Sequence, residues 1–124
     1  ESVKVNRGDG LAIAMFKKLG ISQMILSTEK NSVVNKRSEK LKIDCFHGVD
    51  NKKEFLLSYL KGENIDLQEV GYVGNDINDY EIMREVGLKI APQDAVESIK
   101  KIANIITKAN GGDGVIRELY DIIK

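Results

Sequence analysis

Residues 70–79 read VGYVGNDIND, and this stretch decides the fold that we predict for the whole chain. The apolar residues 70–73 predict a short buried strand that ends at Gly74. A polar run from Asn75 to Asp79 follows at once and leads into a predicted helix, which Gly87 closes. A buried strand that passes through a polar loop into a helix is typical of α/β proteins with parallel sheets.

The same alternation continues on both sides of this stretch. Strands are also predicted at residues 1–5, 23–26, 43–46, 88–91 and 105–107. Helices are predicted at residues 10–19, 31–41, 95–103 and 115–123, together with one that Asp50 caps. We therefore predict a single α/β domain over residues 1–124, built as a three-layer sandwich around a mostly parallel, Rossmann-like sheet.

Composition excludes several classes of partner. The chain has 124 residues, with 19 Lys and Arg against 19 Asp and Glu, a net charge of zero, and 42% hydrophobic residues. That length suits one domain with its own core. Zero net charge argues against nucleic acid or an anionic membrane surface as the partner, because both reward a basic excess. The longest apolar run covers only residues 11–16, whereas a spanning helix needs about 20.

Cysteine and histidine usage limits the choice of metal and compartment. With Cys45 as the single cysteine, no internal disulfide forms, and no leader opens the chain, so we expect a cytoplasmic protein. With His47 as the single histidine, a zinc site of the usual ligands is not available. We expect Cys45 to pack in the core and His47 to be structural or solvated. Any metal is expected to be a hard cation held by oxygen atoms.

The strongest candidate site is the polar run that follows the strand at residues 70–73. Ligands bind outside the carboxyl ends of parallel strands, and Asn75, Asp76 and Asp79 lie at such an end. Two neighbouring carboxylates repel unless a cation neutralises them, and Mg²⁺ prefers such oxygen ligands. Ordinary helix capping by Asp76 or Asn78 explains the same residues, and spacing alone leaves both interpretations open.

Three further places carry weaker signals. Ser27 and Thr28 follow the strand at residues 23–26, where a hydroxyl and free backbone N–H groups suit a phosphate oxygen or simply a helix cap. Lys52 lies in the first turn of the helix after Asp50, where the helix dipole disfavours a cation unless it meets an anion. The segment of Arg7, Gly8, Asp9 and Gly10 joins a guanidinium to a helix start, which suits carboxylate or phosphate recognition. A surface arginine beside a capped helix explains that segment nearly as well.

Taken as a set, these residues resemble motifs II, III and IV of the haloacid dehalogenase-like (HAD) phosphohydrolases. The flanking segments that carry the resemblance are NRGDGLAIAMFKKLGI, ILSTEKNSVV, KLKIDC, YVGNDINDYEIM and GGDGVIREL. They are similar to a small branch without a large cap domain. That branch contains the 3-deoxy-manno-octulosonate 8-phosphate phosphatases and the phosphatase-like domain of N-acylneuraminate cytidylyltransferases. The segments STEKN and GNDIND resemble those of the cytidylyltransferase domain more than those of the octulosonate phosphatases.

The resemblance implies a role for each candidate. Ser27 matches the hydroxyl that binds the transferring phosphoryl group, and Lys52 matches the lysine that offsets its negative charge. Asn75, Asp76 and Asp79 match the motif that holds Mg²⁺. The residues matching the substrate side are Arg7, Gly8, Asp9 and Gly10, with Thr28. The glycine cluster at residues 111–114 matches a loop whose tail, in similar tetramers, reaches a neighbouring active site, so the resemblance implies a homotetramer.

The chain departs from the family pattern at several positions. Motif I, an Asp-x-Asp whose first carboxylate attacks phosphorus and whose second acts as the general acid, would lie upstream of residues 1–5 and is absent. We therefore expect an N-terminally truncated domain that lacks a central strand and is inactive by itself. Asn75 stands where Asp is common, Gly8 where Arg is common (with Arg7 one place earlier), and Asp113 where Arg is usual.

The sequence thus predicts the function of the intact protein as a Mg²⁺-dependent phosphatase. Its substrate would be a phosphorylated 2-keto-3-deoxy sugar acid, of the octulosonate 8-phosphate or nonulosonate 9-phosphate type, in Kdo (lipopolysaccharide) or sialic acid biosynthesis. The alternative is a non-catalytic oligomerisation module, fused to or associated with an N-acylneuraminate cytidylyltransferase. A receiver-like signalling domain fits less well, because no phosphoacceptor aspartate ends a central strand with an acidic pair before it.

Overall fold

The computed structural model describes residues 19–27, 44–46 and 48–123. The predicted strand at residues 1–5 and the predicted helix at residues 31–41 lie outside these residues, as does all but the last residue of the helix predicted at residues 10–19. In chain order the described elements are β1 (Met24–Leu26), β2 (Asp44–Phe46), α1 (Lys52–Glu63), β3 (Gly71–Val73), α2 (Tyr80–Met83), β4 (Leu88–Ala91), α3 (Glu97–Ile102), β5 (Ile105–Ile106) and α4 (Val115–Ile123).

The chain divides into two compact units, residues 1–50 with 112–124 and residues 51–111. In the first unit β1 pairs in parallel with β2, and Ile25 lies opposite Cys45. Ser27 N–H donates to Phe46 C=O over 3.0 Å and extends this pairing beyond β1. The amphipathic helix α4 has the predicted bounds, and Val115 and Leu119 are its buried residues.

The second unit contains a parallel sheet in the order β3-β4-β5. Val73 lies opposite Ile90, and Ala91 lies opposite Ile106, so the three strands end close to one another at their carboxyl ends. Helices α2 and α3 occupy the two connections, which is the β-α-β arrangement expected for parallel strands. A core cluster of Met83, Ala91, Ala95 and Ile99 joins these helices to the sheet. The predicted α/β class with parallel strands is confirmed.

Helix α1 begins one residue later than the sequence suggested. Asn51, not Asp50, caps it, since the Asn51 side chain accepts a hydrogen bond from Glu54 N–H at 3.0 Å. Asn64 caps the C-terminal end of the helix: it adopts the left-handed conformation with φ 57° and donates its N–H to the carbonyls of Leu60 and Lys61. Leu56 and Leu60 are buried on one face of the helix, and Phe55 and Tyr59 are half-buried.

The helix predicted to run from the acidic loop to Val86 is shorter in the structure, where α2 ends at Met83. A 3₁₀ turn, Ile77–Asp79, precedes α2, because Asp76 and Asp79 cap each other's backbone N–H groups reciprocally. Helix α3 is also shorter than predicted: Ala95 N–H donates to Pro92 C=O, and Val96 is extended, so the helix begins only at Glu97.

Within the part of the chain that the structure describes, no helix is long and apolar enough to cross a bilayer.

The contact between Gly87 and Gln68 makes a prediction about stability. A Cβ atom at Gly87 would lie 2.0 Å from the backbone oxygen of Gln68, so Gly87→Ala forces the backbone apart. We expect a loss of about 1–3 kcal/mol in the free energy of unfolding, measured by urea denaturation. The matched control is Gly62→Ala within α1, where a Cβ meets nothing within 4 Å. Alanine there should stabilise by about 0.5–1 kcal/mol, and equal effects at both glycines would contradict the close approach.

Candidate active site

A buried ion pair lies next to the carboxyl end of β3. The Lys52 ammonium is 2.9 Å from Asp79 Oδ1, and both side chains are only 4% exposed. Lys52 comes from the first residue of α1, and Asp79 from the 3₁₀ turn that precedes α2. The structure therefore brings together two of the residues that the sequence singled out, although 27 positions separate them along the chain.

The Asp79 carboxylate accepts hydrogen bonds at both of its oxygens. Oδ1 accepts from Lys52 Nζ at 2.9 Å and from the Tyr72 hydroxyl at 2.7 Å. Oδ2 accepts from the backbone N–H groups of Asn75 at 3.0 Å and Asp76 at 3.2 Å. A carboxylate has about four acceptor positions, so these donors account for all of them. Burial of the charge is costly without such partners, and here it is compensated in full.

Gly74 allows the turn to close over Asp79. A Cβ atom at Gly74 would lie 2.8 Å from Asp79 Cβ and 2.8 Å from Met83 Sδ, so only glycine fits without displacing them. Gly74 N–H donates to Ile90 C=O at 3.1 Å, which keeps the loop aligned with the sheet. Val96 N–H donates to Asn75 C=O at 3.0 Å and ties the other side of the loop to the start of α3.

The two other candidate metal ligands in this loop face solvent. Asn75 and Asp76 are exposed, whereas Asp79 is buried. Asp76 Oδ1 accepts the N–H of Ile77 at 2.7 Å, so Asp76 does act as a helix cap, one of the two interpretations left open by the sequence. Capping engages the Asp76 carboxylate with two backbone N–H groups, those of Ile77 and Asp79, and does not exclude a second role for its remaining acceptor positions.

Magnesium fits the exposed residues of this loop better than the buried one. The side chains of Asn75 and Asp76 offer oxygen atoms to solvent, which is the donor type that Mg²⁺ prefers. A direct bond from Asp79 would replace one of its hydrogen bonds. Within residues 19–27, 44–46 and 48–123 no group of three or more His, Cys, Asp or Glu is arranged to hold a metal. A complete set of ligands would therefore need further oxygen atoms, and the metal role of all three residues stays a prediction.

Ser27 belongs to the first unit of the chain. It follows β1, is 1% exposed, and its C=O accepts from Val49 N–H at 3.0 Å. Its position directly after a strand agrees with the sequence, but a common site with Lys52 stays a prediction. Thr28 and His47 lie outside the described residues. The same is true of the whole substrate-side segment: Arg7, Gly8, Asp9 and Gly10.

Sequence reasoning missed Tyr72. It lies in the middle of β3, where its ring is partly buried, and its hydroxyl reaches the buried carboxylate of Asp79. The available signal was a polar aromatic residue inside an otherwise apolar strand, since a buried tyrosine hydroxyl usually has a hydrogen-bond partner.

The parallel sheet defines an α/β protein, and the acidic loop after β3 lies at the strand ends where proteins of this class bind ligands. Residues 12–119 match the haloacid dehalogenase-like hydrolase family, so the chain belongs to that family. It is 31% identical over 119 residues to the 3-deoxy-D-manno-octulosonate 8-phosphate phosphatase KdsC of Escherichia coli strain K12. That match covers 95% of this chain and 63% of the relative, so the chain spans less than two thirds of the length of its phosphatase relative.

Solved structures agree with this membership. A protein from Streptomyces avermitilis described as a HAD family hydrolase shares 44% identity and superposes with a TM-score of 0.90, over 96% of this chain and 68% of that one. The 3-deoxy-D-manno-octulosonate 8-phosphate phosphatase of Moraxella catarrhalis, solved with magnesium, phosphate and KDO, shares 27% identity with a TM-score of 0.89. The match covers 98% of this chain and 76% of that one. The fold and hydrolase family predicted from the sequence are confirmed.

Removal of the Asp79 charge should cost stability. Asp79→Asn removes the carboxylate charge that lies 2.9 Å from the buried Lys52 ammonium and puts an amide NH₂ where an acceptor is needed. We expect a loss of about 3–5 kcal/mol in the free energy of unfolding, measured by urea denaturation. Glu81→Gln is the control, because Glu81 pairs with Arg84 at 3.9 Å on an exposed surface and should cost less than about 1 kcal/mol. A loss at Asp79 no larger than that of the control would contradict the buried pair.

Proposed function

We propose that the protein containing this chain is a Mg²⁺-dependent phosphatase that acts on a phosphorylated 2-keto-3-deoxy sugar acid. The observation that carries the proposal is the buried Lys52–Asp79 pair beside the loop that follows β3. A lysine held by a fully hydrogen-bonded carboxylate at the ligand-binding edge of a parallel sheet suits a phosphorylated ligand. The family and its 3-deoxy-D-manno-octulosonate 8-phosphate phosphatase relatives support the choice of substrate class.

The proposed chemistry matches what these residues can supply. Phosphoryl transfer depends on positioning and on stabilisation of negative charge more than on elaborate covalent chemistry. In the proposal the Lys52 ammonium offsets the charge on the phosphoryl group, while Asp79 fixes its position. The Ser27 hydroxyl donates to a phosphoryl oxygen, and Thr28 lies beside it. The proposed substrate side consists of Arg7, Gly8, Asp9 and Gly10.

In the same proposal, the exposed oxygens of Asn75 and Asp76 hold the metal, with Asp79 contributing by fixing the loop. When bound, Mg²⁺ neutralises negative charge on the phosphate. Asn75 is a neutral ligand, so fewer negative charges face the ion than in a site with two exposed carboxylates. The metal is therefore expected to bind more weakly than in family members with aspartate at this position.

By resemblance, the nucleophile is the first aspartate of an Asp-x-Asp pair. In family members this pair precedes the segment that residues 1–5 match. Attack of the first aspartate on phosphorus breaks the P–O bond to the sugar, the sugar oxygen leaves as an alcohol with the proton of the second aspartate, and water then releases phosphate.

The departure at Asn75 favours a second candidate, a non-catalytic oligomerisation module of an N-acylneuraminate cytidylyltransferase. A homotetramer is part of both proposals.

The activity test compares two adjacent lysines. In the full-length protein, Lys52→Ala should lower kcat for phosphorylated octulosonate or nonulosonate by about 100- to 1000-fold, because a group that stabilises developing charge is lost. Lys52→Gln keeps a hydrogen-bond donor toward Asp79 but removes the charge, so its kcat should fall by a similar factor. Lys53→Ala is the control, since Lys53 is 38% exposed and pairs with Glu85 on the surface, and its kcat should stay within about twofold of wild type.

Two outcomes of this test decide between the candidates. Unchanged turnover in both Lys52 variants, with folding verified by circular dichroism, would refute the assigned role. A wild-type protein that forms a stable tetramer in gel filtration but releases no phosphate with Mg²⁺ would favour the oligomerisation module.

Metal removal gives an independent prediction. Chelation with EDTA should abolish phosphate release by the full-length protein, and added Mg²⁺ should restore it. Asp76→Asn should raise the Mg²⁺ concentration for half-maximal activity by at least about tenfold, the scale found even for the loss of an outer-shell partner. Asp121→Asn on the exposed face of α4 is the control and should leave that concentration unchanged. Full activity in EDTA would contradict a role for the metal.

A further inference from the structure

Tyr72 combines a packed ring with a hydroxyl directed at the site. Its ring packs against the core cluster of Met83, Ala91, Ala95 and Ile99, as does the ring of Tyr80. On β3 its neighbours Gly71 and Val73 are exposed, so strand alternation turns Tyr72 inward. The ring is thus held by apolar packing, and the position of its hydroxyl follows from that packing.

The Tyr72 hydroxyl donates to the same oxygen that holds Lys52. The distances to Asp79 Oδ1 are 2.7 Å from the Tyr72 hydroxyl and 2.9 Å from Lys52 Nζ. The other oxygen, Oδ2, accepts from backbone N–H groups in the loop. One oxygen therefore faces the lysine and the phenol while the other faces the loop, so rotation of the carboxylate would break hydrogen bonds on both sides.

We infer that Tyr72 is a positioning residue for phosphoryl transfer: it holds the Asp79 carboxylate in the orientation that places the Lys52 ammonium. The inference rests on the proposed phosphatase function. Tyr72 acts through Asp79 and has no assigned contact with the substrate.

Loss of the Tyr72 hydroxyl is expected to change the position of the Lys52 ammonium more than the affinity for the substrate. Without the phenol, Oδ1 keeps the ammonium but loses its second donor, and the carboxylate tilts toward its remaining partners. A displacement of the lysine by a fraction of an ångström affects the transition state, where charge on the phosphoryl group develops, more than the ground state. The expected signature is a lower kcat with little change in KM, since removal of an interaction specific to the transition state has that effect.

The experiment uses the full-length protein and one chemical change at two tyrosines. Tyr72→Phe removes the hydroxyl that reaches Asp79. Tyr80→Phe removes the same hydroxyl oxygen from a ring that packs against the same core cluster. The Arg84 guanidinium lies over the Tyr80 ring, 5.9 Å from its centroid. For each variant we would measure kcat, KM, competitive inhibition by inorganic phosphate, and the urea midpoint. Both changes are also made in an Asp79→Ala background, which removes both carboxylate oxygens.

The expected result is a fall of about tenfold in kcat for Tyr72→Phe, the scale of one hydrogen bond to a charged group. KM and the inhibition constant of phosphate should change by less than about twofold, and Tyr80→Phe should match wild type in all three. In the Asp79→Ala background, Tyr72→Phe should change kcat by less than about twofold, because the oxygen that accepts its hydrogen bond is gone. The coupling should also be visible in the urea midpoints, which need no turnover.

Each other outcome overturns the inference. If wild-type protein is active and Tyr72→Phe keeps its kcat within twofold, the positioning role fails while the phosphatase proposal stands. If both tyrosine variants lose activity and stability equally, or if Tyr72→Phe adds its full effect to Asp79→Ala, the role of Tyr72 is structural only. If wild-type protein releases no phosphate from any phosphorylated sugar acid, the proposed function and the inference fail together.

Discussion

The constraint on which the site depends is that Lys52 and Asp79 are buried together and hydrogen-bonded at the same time. A buried ion pair gains little net stability over a well-packed apolar pair, because both charges lose their hydration. What it does impose is geometry, since either charge left without the other would be costly. The start of α1 and the turn before α2 are thereby held in one arrangement, and these two helices pack against each other.

Much of the local structure around the pair follows from the needs of one carboxylate. Asp79 requires donors on both oxygens, and the chain supplies them from a strand, a helix and its own loop. The loop can approach so closely only because residue 74 is glycine. Asn75 and Asp76 consequently give their backbone N–H groups to the buried carboxylate and leave their side chains in solvent. A division between a buried anchoring acid and exposed oxygen donors therefore follows from the hydrogen bonds that Asp79 accepts from distant side chains and from its own loop.

Prediction from the sequence worked best where local chemistry decides the structure. The described strands lie where short apolar runs predicted them, and β4 and α4 have the predicted bounds. It worked less well at helix ends, where neighbouring residues compete for the same cap: Asn51 takes the position assigned to Asp50. The helix before Gly87 is shortened because Asp76 and Asp79 cap each other in a tight 3₁₀ turn. Such reciprocal hydrogen bonds depend on side-chain geometry that spacing alone does not specify.

By itself, the sequence determined the α/β class, the family and the polar residues that follow each strand, because periodicity, turn residues and motif order are local properties of the chain. Only the tertiary structure decided that Asp79 turns inward, that Lys52 is its counter-charge and that Tyr72 completes its hydrogen bonding. The spacing of the acidic run presents Asn75, Asp76 and Asp79 as equivalent ligands. Burial distinguishes them, because the environment of a carboxylate depends on which distant segments pack over it, and no local pattern in the sequence records that packing.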